Sequence, residues 1–160
     1  MKEPLRIGLA GLGTVGGGVV EILDRHRELL AARCGRPLVL AGVSARHRDR
    51  HRKLKIGKAE WYDNPVKMAA DPGIDVVVEV IGGEDGIAKT IAETALQSGK
   101  ILVTANKALI AHHGTRLARM AEKNGVALRF EAAVAGGVPI IKSLREGLVA
   151  NQLVEVYGIL

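Results

Sequence analysis

Short apolar runs alternate with longer amphipathic stretches along the whole chain. Residues 5–10 form the first apolar run, and the amphipathic residues 15–32 follow a glycine-rich loop. Residues 37–43 read as a second strand, closed by a run of basic residues. Residues 75–81 (Asp-Val-Val-Val-Glu-Val-Ile) are β-branched and end at Gly82-Gly83, the pattern of a buried strand. Residues 85–98 follow helical spacing, with Ile87, Ile91 and Ala95 on one face and Gly99 as the stop signal. Residues 101–104 give a further strand, and the helical stretch after it reaches Asn124, where Gly125 ends it. Residues 126–132 read as strand again. Pro139 suits the first turn of a helix running to about residue 149, and residues 153–160 look like the start of another strand.

This β-α-β alternation predicts an α/β fold, doubly wound (Rossmann-type), with a mostly parallel sheet and helices on both faces. At 160 residues the chain suits one domain with a full core. The hydrophobic fraction is 48%, yet the aromatic residues are only Trp61, Tyr62, Phe130 and Tyr157. The core is therefore aliphatic, as in buried parallel sheets.

The first loop carries the first candidate chemistry. Gly11-Leu12-Gly13-Thr14-Val15-Gly16 lies between a strand and a helix, the order that forms a phosphate cradle. Gly11 would permit the tight turn, Gly13 would let the backbone approach a pyrophosphate, and Gly16 would let the helix pack closely. The free N–H groups and positive dipole end of the helix would face the phosphates.

The net charge of +6 is local. Between residues 44 and 58 stand Arg46, Arg48, Arg50, Arg52, Lys53, Lys55 and Lys58 against the single acid Asp49, so the remainder of the chain is balanced. A nucleic-acid binder spreads its basic footprint over a face or helix and often adds aromatics, and this run does neither. It is a solvated loop or a phosphate-binding one. An NAD-preferring site places Asp or Glu at the end of the second strand, where this chain reads Ser44-Ala45-Arg46. A guanidinium there pairs with a 2′-phosphate, so NADP is favoured and NAD remains possible.

In a doubly wound sheet, ligands sit beyond the carboxyl ends of the strands. That rule also selects Gly82 with Gly83, then Thr104, Asn106 and Lys107, and the turn from Glu131 to Gly137. Asn106 could cap the next helix and leave Lys107 as an exposed first-turn residue. Alternatively, Lys107 aims an ammonium at the nicotinamide or substrate, where a fixed cation stabilises a developing alkoxide. Residues 131–137 are either a strand end with a glycine-rich lead into a helix, or carbonyls and a carboxylate able to ligate a hard cation. Cys34 has no partner for an internal disulfide, in keeping with a reducing cytoplasm. His112 and His113 are adjacent, so on a helix they point apart and make a poor metal pair. No apolar run reaches the ~20 residues that span a bilayer, and the few residues before Leu5 leave no room for a signal peptide.

Three later segments bring a family into view. Glu79-Val80-Ile81-Gly82-Gly83, the run from Val103 through Thr104, Asn106 and Lys107 to Ala111 with Gly114 beyond, and residues 130–142 closely resemble homoserine dehydrogenase. The glycine loop is similar to that family's as well. The resemblance implies NAD(P)-dependent reduction of L-aspartate 4-semialdehyde, a small-molecule substrate, to L-homoserine on the route to threonine and methionine. It implies that Thr14, Val15, Arg46, Gly82 and Lys107 line the cofactor, with Lys107 also approaching the reacting carbonyl. It further implies a monovalent-cation site (Na+ or K+) at Glu131, Val134, Gly136 and Val138, mostly through backbone oxygens. The basic loop matches no family pattern residue by residue.

By this resemblance residues 1–150 form the nucleotide-binding domain. Residues 151–160 would begin a substrate and dimerisation domain, so that the chain reads as part of a longer, cytoplasmic, homo-oligomeric enzyme. Alone it would hold cofactor without turnover. Nothing points to nucleic acid or a membrane. Two rivals stand beside this reading. A dinucleotide-sensing regulatory module would need no cation at Lys107. A phosphorylating semialdehyde dehydrogenase would need a nucleophilic cysteine, and Cys34 lies at the far end of the first helix.

Overall fold

The computed structural model describes residues 2–51 and 53–157. β1 (Leu5–Ala10) leads through the glycine loop into α1 (Thr14–Arg25) and α2 (Arg27–Cys34), and then β2 (Leu38–Ser44). The basic loop contains a short 3-10 turn, Arg48–His51, before β3 (Glu60–Trp61) and α3 (Pro65–Ala70). β4 (Val76–Glu79), α4 (Ile87–Gln97), β5 (Ile101–Thr104), α5 (Lys107–Lys123) and β6 (Leu128–Arg129) follow. The last elements are α6 (Glu131–Val134) and α7 (Ile140–Lys142), which runs into a π turn at Ser143–Gly147.

The strands make one six-stranded sheet in the order β3-β2-β1-β4-β5-β6, and every pairing is parallel. The order reverses between β1 and β4, so the crevice of the fold opens where the glycine loop meets the loop after β4. Two aliphatic cores flank the sheet. Val77 belongs to one, with Met68, Ile91, Leu102, Leu109 and Leu117 from α3, α4, β5 and α5. Leu9 and Val43 belong to the other, with Leu12 and Val20 from the glycine loop and α1. The period-2 alternation of a strand sends neighbours to opposite faces, which is why helices cover both.

Several boundaries depart from the sequence expectation. The amphipathic stretch 15–32 is two helices broken at His26 (φ −109°, ψ 24°). α2 has no fully buried residue, so packing does not hold it collinear with α1. The expected strand 126–132 shrinks to the edge strand Leu128–Arg129, and Glu131 opens a helical turn instead of ending a strand. The expected helix from Pro139 to about residue 149 is a three-residue α7 and a π turn, neither with a buried residue to anchor it. Residues 153–157 form no strand, and Leu153, Val154, Val156 and Tyr157 are exposed. Residues 158–160 of that expected strand lie outside the described residues. Among the described residues no helix is long and apolar enough to cross a membrane.

Candidate functional site

Each glycine of the first loop has its own geometry. Gly11 has φ +103°, and a Cβ there would stand 2.8 Å from the Val80 carbonyl oxygen, so only glycine fits between β1 and β4. A Cβ on Gly16 would run into the carbonyl oxygen of Gly11 and sit 3.3 Å from Val80 Cγ2. Gly16 therefore lets α1 start directly against the loop. Around Gly13 a Cβ would meet nothing within 4 Å, although its φ of −68° suits any residue. The bare Cα faces open space, as a cradle for a close-lying ligand requires.

Gly13 is the N-cap of α1 and offers no side-chain acceptor, and the first turn contains no acid. Thr14 and Val15 are exposed beside it. The uncapped N–H groups therefore keep their positive field for an anion. The glycine loop floors a cleft of about 820 Å³ with three other walls. Ser44, Ala45 and Arg46 extend from β2, joined by Arg48 and Arg50 of the basic loop. Trp61, Asp63 and Pro65 close one side, and Val80, Ile81, Gly82 and Ile87 the other. The Arg48 guanidinium lies 5.4 Å from the centre of the Trp61 ring, close enough for a cation–π contact. Gly11, Gly13, Arg46 and Gly82 thus share one cavity.

Lys107 is not part of that lining. It is the exposed first residue of α5, at the carboxyl end of β5. Asn106 is the N-cap: its Oδ1 accepts from the Leu109 N–H at 3.1 Å, and its Nδ2 donates to the Gly83 carbonyl. Thr104 is buried, donating to Glu79 Oε2 at 2.7 Å and accepting from the Asn106 N–H at 3.0 Å. Both side chains are committed within the protein, so they shape the site from behind.

Glu131 to Val138 follow β6, and α6 packs against β5 and α5. The Glu131 carboxylate accepts from the Ile141 and Lys142 N–H groups at 2.9 and 3.0 Å, holding the start of α7. The Val138 carbonyl accepts from Ile140 at 2.8 Å. Two of the four expected cation ligands thus already accept hydrogen bonds from the chain, and their oxygens keep further lone pairs. Cys34 is exposed at the end of α2. His112 and His113 pair with different acids, Glu84 and Asp85, each at 3.0 Å. Among the described residues no three His, Cys, Asp or Glu side chains converge as a metal site.

Residues 11–131 match the family model for the NAD-binding domain of homoserine dehydrogenase. The chain belongs to the homoserine dehydrogenase family. It is 44% identical to the homoserine dehydrogenase of Pseudomonas aeruginosa over 158 residues, which is 99% of this chain and 36% of that protein. The Bacillus subtilis homoserine dehydrogenase is 39% identical over 98% of this chain and 36% of its own length. The chain thus spans about a third of the curated relatives it matches. The crystal structure of a homoserine dehydrogenase from Thiobacillus denitrificans superposes with a TM-score of 0.86 at 45% identity, covering 93% of this chain and 34% of that one. A hyperthermophilic archaeal homoserine dehydrogenase mutant, solved in complex with NADPH, superposes at 0.75 with 27% identity, covering 92% and 50%.

In the sequence, Arg48 stands out only as one of the basic-loop cations, Glu79 and Ile81 only within a segment that resembles the family, and Trp61 only as an aromatic. Trp61 sits in a two-residue strand too short to show a period. Glu79 did carry a signal, a lone carboxylate at the carboxyl end of an otherwise apolar, β-branched strand.

Proposed function

We propose that this chain is the cofactor-binding part of an enzyme that reduces L-aspartate 4-semialdehyde to L-homoserine with NADPH, NAD(H) being the weaker alternative. The observation that carries this reading is the cleft itself, in which the open Gly13 cradle, the uncapped start of α1 and a cluster of arginines face one space. The residues fit a dinucleotide. Gly11, Gly13, Thr14, Val15 and Gly16 would hold the pyrophosphate by backbone N–H groups, and Gly82, which lines the same cleft, would border the cofactor. Arg46, with no acid at the end of β2, would pair with the 2′-phosphate. When bound, the cofactor supplies the hydride. Lys107, on the same rim of the sheet, would stabilise negative charge on the substrate oxygen, supported from behind by Thr104 and Asn106.

The chain spans about a third of its relatives' length, and positioning of the aldehyde and delivery of its proton would fall to the other part of such an enzyme, so that this chain alone would bind cofactor without turnover. A homo-oligomeric full-length enzyme in the cytoplasm fits the biosynthetic role of the family. A monovalent ion at Glu131, Val134, Gly136 and Val138 would share Glu131 with the start of α7.

Calorimetric titration of NADPH and NADH into the chain and into Arg46→Ala tests the reading. NADPH should bind the more tightly. The substitution should weaken NADPH by about tenfold at low salt, less as salt rises, and leave NADH nearly unchanged. Equal affinities, indifferent to Arg46, would overturn it.

A further inference from the structure

Glu79 is completely buried, with a relative exposure of 0%, at the carboxyl end of β4. Its Oε1 accepts from the Ile81 and Gly82 N–H groups at 2.7 and 3.2 Å. Its Oε2 accepts from the Thr104 hydroxyl at 2.7 Å. The Thr104 oxygen in turn accepts from the Asn106 N–H, and Asn106 reaches back to the Gly83 carbonyl. One carboxylate thus closes a ring of hydrogen bonds through two elements that approach the cofactor from different strands. On one side lie Ile81 and Gly82, which line the cleft. On the other lies Asn106, the cap immediately before Lys107.

We propose that Glu79 is a positioning residue that couples the cofactor-lining loop after β4 to the start of α5, and so fixes Lys107 relative to the bound dinucleotide. The inference deepens the NADPH-binding reading and rests on it. The loop needs such a tether. Gly82 and Gly83 both have positive φ, +88° and +89°, and a Cβ on Gly82 would touch nothing within 4 Å. A glycine pair in open space has wide conformational freedom. No apolar contact can pin it, so the backbone N–H groups must be held instead. Glu79 holds two in succession, and Asn106 takes the next carbonyl. Burial strengthens these bonds and makes each expensive to leave unmade. A carboxylate needed only to fill the core would serve no better than the valines beside it in β4.

The decisive variants are Thr104→Val, which removes only the hydroxyl link between the two elements, and Glu79→Gln, which keeps an acceptor for the Ile81 and Gly82 N–H groups. Leu117→Val serves as a control that loosens the core further along α5. Trp61 is the only tryptophan and lines the cleft, so its quenching by NADPH and the sensitised emission of the bound nicotinamide report affinity and placement. Amide hydrogen exchange at Ile81 and Gly82 reports the tether without ligand.

Thr104→Val and Glu79→Ala should weaken NADPH about tenfold, alter the emission of the bound nicotinamide and speed exchange at both amides. Glu79→Gln should recover most of the affinity lost in Glu79→Ala, while Leu117→Val keeps wild-type binding despite lower stability. Should Glu79→Ala fail to fold, Thr104→Val and Glu79→Gln decide alone. Wild-type affinity, emission and exchange in Thr104→Val would overturn the coupling, as would a loss of affinity in Leu117→Val equal to that in Thr104→Val. Failure of the wild-type chain to bind NADPH would overturn the functional reading instead, and the exchange rates would still judge the tether.

Discussion

Alanine placed in turn at the three glycines of the first loop separates the requirements of folding from those of binding. At Gly11 the substitution forces an L residue to φ +103° and sets its Cβ 2.8 Å from the Val80 carbonyl oxygen. Strain of that kind costs about 1–3 kcal/mol. At Gly16 the new methyl meets the Gly11 carbonyl, which is backbone and cannot swing aside. Overpacking of about 1–3 kcal/mol then exceeds or matches the roughly 1 kcal/mol that alanine gains over glycine inside a helix. At Gly13 no atom lies within 4 Å and the backbone angles suit alanine. The entropic gain of about 0.4–1 kcal/mol offsets alanine's weakness as an N-cap, which is of similar size.

Gly13→Ala should therefore melt within a degree or two of wild type, while Gly11→Ala and Gly16→Ala fall by several degrees at roughly 2–4 °C per kcal/mol for this chain length. Binding should rank differently. The methyl on residue 13 occupies the space a pyrophosphate would use, removing at least two charge-assisted hydrogen bonds of about 1.5–3 kcal/mol each. That is a loss of more than about a hundredfold in NADPH affinity. Thermal melts by circular dichroism and calorimetric titration of the same three proteins provide the comparison. If Gly13→Ala binds NADPH within threefold of wild type, or melts as early as Gly16→Ala, the reasoning about the cradle is wrong.

Two further outcomes concern the amino ends of the central strands. The Gly73 N–H and the Tyr62 hydroxyl hold the Asp71 carboxyl below the usual carboxylate range, and the Arg6 guanidinium does the same for Asp75. The unfolded chain then binds these protons more readily, so the stability both groups contribute is present above about pH 4 and is lost as pH falls through their folded values. The melting temperature should drop on acidification below that point, and Asp71→Asn with Asp75→Asn should flatten the drop. A profile unchanged by the double variant would contradict this. Lys100 is buried, with Nζ donating to the Asp71 and Ile74 carbonyls at 2.6 and 2.7 Å. Lys100→Met should lower the urea midpoint by an amount equivalent to about 1–3 kcal/mol, since it takes the Lys100 donor from the buried Ile74 carbonyl, while the Asp71 carbonyl keeps the Ile74 N–H, and a midpoint at or above that of wild type would show that burying the ammonium costs as much as its bonds return.

The elements most legible in the sequence are those whose periodicity is uninterrupted. Residues 101–104 were expected as strand and are β5, and the helical stretch ended by Gly125 is α5. β3 and α3 went unread, with two and six residues, because neither is long enough to show a period. A signal was nonetheless present in Asn64-Pro65. The Asn64 side chain accepts from the Val66 N–H at 2.9 Å, and Pro65 fills the first helical position, where its missing N–H is harmless. Beyond β6 the reading failed for a different reason. Apolar residues at 138, 140, 148, 149, 153 and 154 suggested a helix and a strand, yet all six are exposed. Hydrophobicity indicates that a side chain favours burial, while the secondary structure depends on what buries it.

For the site, the legible part is the part made of local sequence. The glycine loop, Arg46, and Lys107 behind its Asn106 cap each follow a strand within a few residues, so chain order alone places them at one rim of the sheet. Glu79 differs. Its partners Ile81 and Gly82 are close in sequence, but Thr104 is 25 positions away and meets it only because β4 and β5 pair in register, Glu79 opposite Thr104. Neither residue alone suggests a function. A carboxylate in a valine-rich strand could be an edge residue, and a threonine at a strand end suits β-propensity. Only the parallel register turns them into a contact, and it places that contact between the floor of the cleft and the helix that presents Lys107. An acid inside an apolar parallel strand is therefore a question about the neighbouring strand, answered by looking for a hydroxyl at the same register position.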